Sequence, residues 1–224
     1  MQNENENEKQ SFVEKINGFS QRNRKGIIFF SCAIFILLAG IIIFFSLQDV
    51  FNKKAIAEVE ELNVKFQELR FLTNDMNYAA EIQTMLSDLE TFAGKKKGYA
   101  ASKAWSMAAQ IYSSRNEWQK AEEAWLNAAK AGDKTYLGPI ALFNAAVSAE
   151  EQGKLELAIE LLQKSIDHKF EFPAAPRAQF SIGRLYEQLG NYPAAIESYR
   201  TVMINWQNVP VWQYLARSRI IAIE

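Results

Sequence analysis

The sequence predicts an all-α chain: a single N-terminal transmembrane helix, then a solenoid of helical hairpins with a C-terminal capping helix. Three observations carry this. Gly26 to Leu47 holds no charged residue. Beyond it, apolar residues recur at steps of three and four, with no alternation of the kind a strand needs. The same hairpin layout also returns at a period of 37 residues, at Asn116, Gly153 and Gly190.

The chain begins with a polar tail, residues 1–25. Met1 to Gln10 is rich in Asn and Glu and reads as solvated. Phe12, Val13 and Ile16 are too few for an amphipathic helix. Residues 26–47 follow, about 33 Å long as a helix and enough for a bilayer core. They run longer than a signal-peptide core, and the A-x-A at Ala55 to Ala57 lies past two lysines, so the segment is expected to stay as a signal anchor. Lys15, Arg22, Arg24 and Lys25 precede it, and only Lys53 and Lys54 follow over the same distance. That bias predicts a cytoplasmic N-terminus and a C-terminal domain outside, with the reverse topology open.

Residues 48–98 are expected to form a long helical hairpin. Ala55, Val59, Leu62, Phe66 and Leu69 make one stripe, and Ile82, Leu86, Leu89 and Ala93 make the next. Thr73, Asn74 and Asp75 form the turn, and Gly94 in GKKKG ends the second helix. Two readings stand: a degenerate repeat packed on the next hairpin, or a dimerising stalk.

Residues 99–224 hold three repeats and a cap. Trp105, Ala108, Ala109 and Tyr112 line one helix; Trp118, Ala121, Trp125 and Ala128 line the next. Ser113 to Asn116 break the stripe between them and predict the turn. In register, a small residue precedes each turn (Ala109, Ala146, Gly183) and another follows it (Ala121, Ala158, Ala195). Four residues on stands a bulky one (Trp125, Leu162, Tyr199). Small residues at crossings let backbones approach, and the bulky neighbour fills the space beside them. A single amphipathic hairpin cannot bury its apolar face, so the hairpins must stack. Gly138 with Pro139 starts the second repeat, and Pro173 and Pro176 start the third. Val211 to Glu224 reads as the cap.

Little here supports chemistry. His168 is the only histidine, and Cys32 the only cysteine, lies in the apolar run. No disulfide, His- or Cys-based metal site, Gly-rich phosphate loop or nucleophile–base set is expected, and no cofactor. A net charge of -1 offers no footprint for nucleic acid. Glu122-Glu123, Glu150-Glu151 and the pair Asp88 and Glu90 read as solvated helix faces.

The repeat pattern resembles the tetratricopeptide repeat (TPR) family. Trp105, Ala109, Tyr112, Ala121, Trp125 and Ala128 match that family's positions in the first repeat. The second carries Leu142, Ala146, Ala149, Ala158, Leu162 and Ser165, and the third Gln179, Gly183, Tyr186, Ala195, Tyr199 and Val202. The period of 37 exceeds the family's usual 34, which predicts longer helices or loops. The resemblance implies a non-enzymatic protein whose first helices line a groove for a protein partner, either a peptide segment or a membrane-complex subunit. By that resemblance Lys103, Ser106, Gln110, Phe143, Val147, Arg177, Phe180 and Arg184 are the groove residues. Phe143 and Phe180 are equally open to burial between repeats. Trp206 and Trp212 belong either to the last core layer or to an exposed anchor. The whole layout resembles bacterial membrane-anchored TPR proteins that assist the Sec translocon and periplasmic chaperones. That resemblance implies an inner membrane, with the domain on its periplasmic or other extracytoplasmic face. The alternative role is a self-assembling component of an envelope, division or motility complex.

Overall fold

The computed structural model describes residues 21–71 and 78–224. The polar tail up to residue 20 and the Thr73-Asn74-Asp75 turn lie outside them. The chain divides into two compact units between Lys53 and Lys54. Helix α1, Arg24–Phe71, is the helix within which that division falls.

In the first unit the apolar side chains stand exposed, Phe29 at 78% and Phe35 at 75% among them. A helix this long and apolar is able to cross a membrane.

In the second unit α2 (Tyr78–Lys95), α3 (Gly98–Ser114), α4 (Trp118–Ala131), α5 (Leu137–Glu150), α6 (Leu155–Ile166), α7 (Ala175–Gln188), α8 (Tyr192–Asn205) and α9 (Pro210–Ile223) follow in order. No strand occurs among the described residues. The fold is a TPR-like solenoid in which each helix packs on its chain neighbour. The stripe at Ala55, Val59 and Phe66 is buried with Ile82, Leu86, Leu89, Ala100 and Ala104 in one cluster. A second cluster runs from Ala109 through Leu185, and a third joins Tyr199, Val202 and Ala216 with Phe180 and Trp212.

The three aligned turn residues share one conformation. Asn116, Gly153 and Gly190 have φ of 58°, 73° and 71°. Each closes a Schellman turn, with Glu117, Lys154 and Asn191 donating their N–H to the carbonyls of Tyr112, Ala149 and Tyr186 at 2.9, 3.0 and 2.8 Å. Left-handed φ suits Gly and is tolerated by Asn.

Three expectations need correction. Ser113 and Ser114 are helical, not part of the turn. Their hydroxyls donate to Ala109 O and Ile111 O at 2.8 and 2.7 Å, which satisfies them inside the helix. Gly94 does not end α2; the break falls at Lys96 and Lys97, and the left-handed residue is Gly98, φ 63°. The carboxylates read as solvated are in part inter-helix ties. Glu122 is buried and accepts from Gln152 and Lys154 at 2.6 and 2.9 Å. Glu150 takes Arg184, and Glu90 accepts the Tyr112 hydroxyl at 2.7 Å. They sit where helices meet, so an oxygen directed at a neighbour is more stable than one left unpaired. Glu123 and Glu151 stay exposed.

Candidate functional site: a cleft between the first three hairpins

The expected groove residues lie on the first helices of successive hairpins, α3, α5 and α7. Two of the eight, Gln110 and Val147, share one cleft of about 560 Å³. Its walls come from three hairpins: Phe66, Arg70, Tyr78 and Ile82 from the first, Trp118 and Trp125 from the second, and Asn144 from the third. The Arg70 guanidinium stands over the Phe66 ring, 5.8 Å from its centroid. The Asn144 amide nitrogen donates to Ile140 O at 2.9 Å. Among the described residues the lining contains no His, Cys or carboxylate. Such a surface stacks against apolar or planar groups and hydrogen-bonds amides.

The other six candidates are held elsewhere. Lys103 Nζ donates to both oxygens of Glu60 at 2.7 and 2.6 Å. That ammonium, hydrogen-bonded to Glu60, holds the Glu60 carboxyl below the usual carboxylate range. Ser106 donates to Ser102 O at 2.8 Å. Phe143 is buried at 8% exposure, its ring 5.6 Å from Phe172. Exposed Arg177 covers that ring at 5.2 Å. Phe180 packs between Tyr199 and Trp212, at 5.1 and 5.5 Å. Arg184 forms a two-pronged pair with Glu150 at 2.6 and 2.7 Å, which raises its pKa. Of the anticipated basic rim, Lys103 and Arg184 are thus paired internally while Arg177 stays exposed, and Phe143 and Phe180 serve the core.

The first hairpin's contribution, Phe66, Arg70 and Tyr78, did not enter the sequence reading of the site. The available signal was Phe66 in the last turns of its stripe, followed one turn later by Arg70. A larger cleft of about 880 Å³ lies between α6 and α8. Four of its charges are paired with one another, Lys164 to Glu160 and Lys169 to Asp133, each at 2.6 Å. His168 closes one side, its Nδ1 accepting from the Phe170 N–H at 3.2 Å. Among the described residues no His, Cys, Asp or Glu cluster is arranged to hold a metal ion.

Comparison with known proteins places this geometry. Residues 73–207 match the model of the family described as Soluble NSF attachment protein, SNAP. A TPR repeat-containing protein of Treponema pallidum (strain Nichols) is 36% identical over 148 residues, which cover 64% of this chain and 60% of that protein. The chain therefore spans about 60% of the length of the curated relative it matches. Among solved structures, nearly identical TPR-like repeats of Podosopora anserina align with a TM-score of 0.51 at 15% identity, over 67% of this chain and 77% of that one. The C-terminal part of a TPR repeat-containing protein from Cytophaga hutchinsonii aligns with a TM-score of 0.50 at 18% identity, over 76% and 70%. At these identities the two structures speak to the fold.

Proposed function

The chain belongs to the soluble NSF attachment protein family, and we propose that it acts as a membrane-anchored adaptor whose first cleft holds a segment of a protein partner. TPR-type helical repeats mediate protein–protein contacts, and helical-repeat families of this kind are typically adaptors rather than catalysts. The observation that carries the reading is the cleft around Gln110, Asn144, Val147 and Trp118. It pairs aromatic walls with amide groups, and its described lining holds no acid–base set. The anchor is Gly26 to Leu47, with the N-terminus cytoplasmic and the solenoid on the extracytoplasmic face of the inner membrane. A role beside the translocon, or in handling envelope proteins, fits this address.

The test is site-specific photocrosslinking in intact membranes of the full chain. A photoreactive residue at Gln110 or Val147 is expected to give discrete adducts that disappear when Asn144→Arg fills the cleft. The same probe at exposed Glu156 on α6 is expected to give none. Equal labelling at all three positions overturns the cleft. Protease digestion of intact spheroplasts reads the topology separately: a solenoid protected from outside overturns the address and leaves the cleft standing.

A further inference from the structure

The repeat pattern is broken at one place in the third repeat. Gln179 holds the position that Trp105 and Leu142 hold in the first two repeats. Ala194 and Ser198 hold the positions of Leu157 and Leu161 in the second. Leu142, Leu157 and Leu161 all join the core cluster that runs from Ala109 through Leu185. Their counterparts in the third repeat are small or polar, and all three line the cleft of about 880 Å³ between α6 and α8. Three departures from one pattern thus open one trough, where the second repeat has a filled crossing.

The decisive residue is Gln179. It is only 7% exposed. Among the described residues its side-chain amide has no hydrogen-bond partner. No side-chain polar atom sealed from solvent among them lacks a partner, so the amide opens into the cleft it lines. A buried amide is ordinarily paired, and one left without a partner lowers stability. Leucine, as at the same position of the second repeat, would avoid that cost.

The trough has the chemistry of a peptide site. An amide side chain offers a carbonyl acceptor and an N–H donor, which match the N–H and carbonyl of a peptide unit. Gln179, Ile182 and Tyr186 follow one another along α7 over about 10 Å. That is the length of about three residues of extended chain. Leu142, Ile159 and Ile182 supply apolar contact. The charges are unbalanced. Four carboxylates line the cleft, against Lys164 and Lys169, which Glu160 and Asp133 already hold. Glu197 and Asp167 are exposed, and neither forms an ion pair among the described residues. Asp167 accepts only from the Gln163 amide, at 3.0 Å.

We infer that this cleft receives an extended segment of a protein partner that bears a lysine or arginine. Gln179 pairs with a peptide group of that segment, and Glu197 and Asp167 take its basic side chain. The site is separate from the cleft around Gln110 and Asn144. The two share no lining residue, and this one does not depend on that one being occupied.

The experiment uses the full chain in detergent and a pool of capped peptides with three randomised residues between glycines. Affinity selection read by mass spectrometry compares the wild-type chain with Q179L, Q179M and E197Q. A set of peptides is expected to be retained by the wild type and to fall about tenfold with Q179L and with Q179M, which keeps the length of Gln without its amide. Lys and Arg are expected to dominate that set over Asp and Glu. E197Q is expected to lower its retention about threefold, the scale of a partly exposed ion pair. Q179L is expected to keep the thermal midpoint of the wild type or to raise it by about 2–4 °C, because an unpaired amide is replaced. A pool that does not distinguish the wild type from both Gln179 variants overturns the site. So does a loss of binding that appears only together with a lowered midpoint in both variants, which makes Gln179 a packing residue. A distinguishing set without basic residues, or one indifferent to E197Q, overturns the assignment of the occupant.

Discussion

Hairpins α3–α4 and α7–α8 are the same layout placed twice, and they solve the same crossing differently. In the first, Ala109 faces Trp125, a ring without a hydroxyl, and both are buried. In the second, Gly183 faces Tyr199, whose ring lies so close that a Cβ on Gly183 would stand 2.6 Å from Tyr199 Cε1. The missing methyl lets the ring drop fully out of solvent, 0% exposed against 7% for Trp125. The ring also carries a polar tip, and the Tyr199 hydroxyl donates to Glu187. Glu187 in turn accepts from Arg219 of α9, with Nε at 3.0 Å. The third repeat is thus tied to the helix beyond it. The first repeat uses another tyrosine, Tyr112, and reaches back to Glu90 of α2. Equivalent positions define the hairpin; the hydroxyls decide which neighbour it is fastened to.

The sharpest way to break this comparison is at the small residue. Gly183→Ala is expected to destabilise the chain by about 1–3 kcal/mol, since the Tyr199 ring must shift to admit the methyl. Ala109→Gly removes a methyl without forcing the Trp125 ring to move, and is expected to cost only about 1 kcal/mol, as a glycine inside a helix. Denaturant midpoints at constant slope measure both. Equal costs would mean that the two crossings are packed alike.

Next in size is the tie to α9. Arg219→Ala leaves Glu187 to Tyr199 alone and is expected to cost about 1 kcal/mol, the Arg being half exposed. Hydrogen exchange is expected to speed up in α9 and to stay unchanged in α3 and α4. Acid should produce the same loss. Hydrogen bonding from Arg219 holds the Glu187 carboxyl below its usual range. A lowered folded-state pKa contributes stability that is present above the unfolded value, about 4.3, and is lost as pH falls through the folded one. With Arg219→Ala that acid sensitivity should shrink.

The smallest effect lies at alkaline pH in the first repeat. Burial, with the hydrogen bond to Glu90 second, pushes the Tyr112 hydroxyl up to about 12. A raised folded-state pKa contributes stability present in full below the unfolded value, about 10, and lost as pH rises toward 12. Ultraviolet titration of tyrosinate should show one late-ionising group missing in Tyr112→Phe. An unchanged titration curve would show that Tyr112 is not held against Glu90.

Much of this architecture was legible along the chain. The register of Asn116, Gly153 and Gly190 predicted turns, and all three adopt the left-handed conformation those turns require. Left-handed φ is a property of one residue and its nearest neighbours, so it is written locally. The small and bulky positions were legible for a related reason: helical periodicity assigns each residue to a face. The candidate site was far less legible. Phe143 and Arg184 sit on the predicted helices, yet Phe143 turns to Phe172 and Arg184 to Glu150. A small rotation of a helix about its axis separates a groove residue from a core residue, and that rotation is set by how neighbouring hairpins stack.

By itself, then, the sequence determined the helices, their turns, the apolar run at Gly26 to Leu47 and the faces that had to be buried. Those follow from local dihedral preferences and from the period of apolar residues. Only the tertiary structure decided which charges find each other. Glu60 with Lys103, Glu122 with Lys154, Glu150 with Arg184 and Glu187 with Arg219 join residues 32 to 43 positions apart in the chain. Only the tertiary structure brought Phe66 and Tyr78 of one hairpin to Asn144 and Val147 of another. The physical reason is the same in each case. Ion pairs and clefts depend on distances across stacked helices, and these follow from the rotation and spacing of whole hairpins, which no single stretch of sequence specifies.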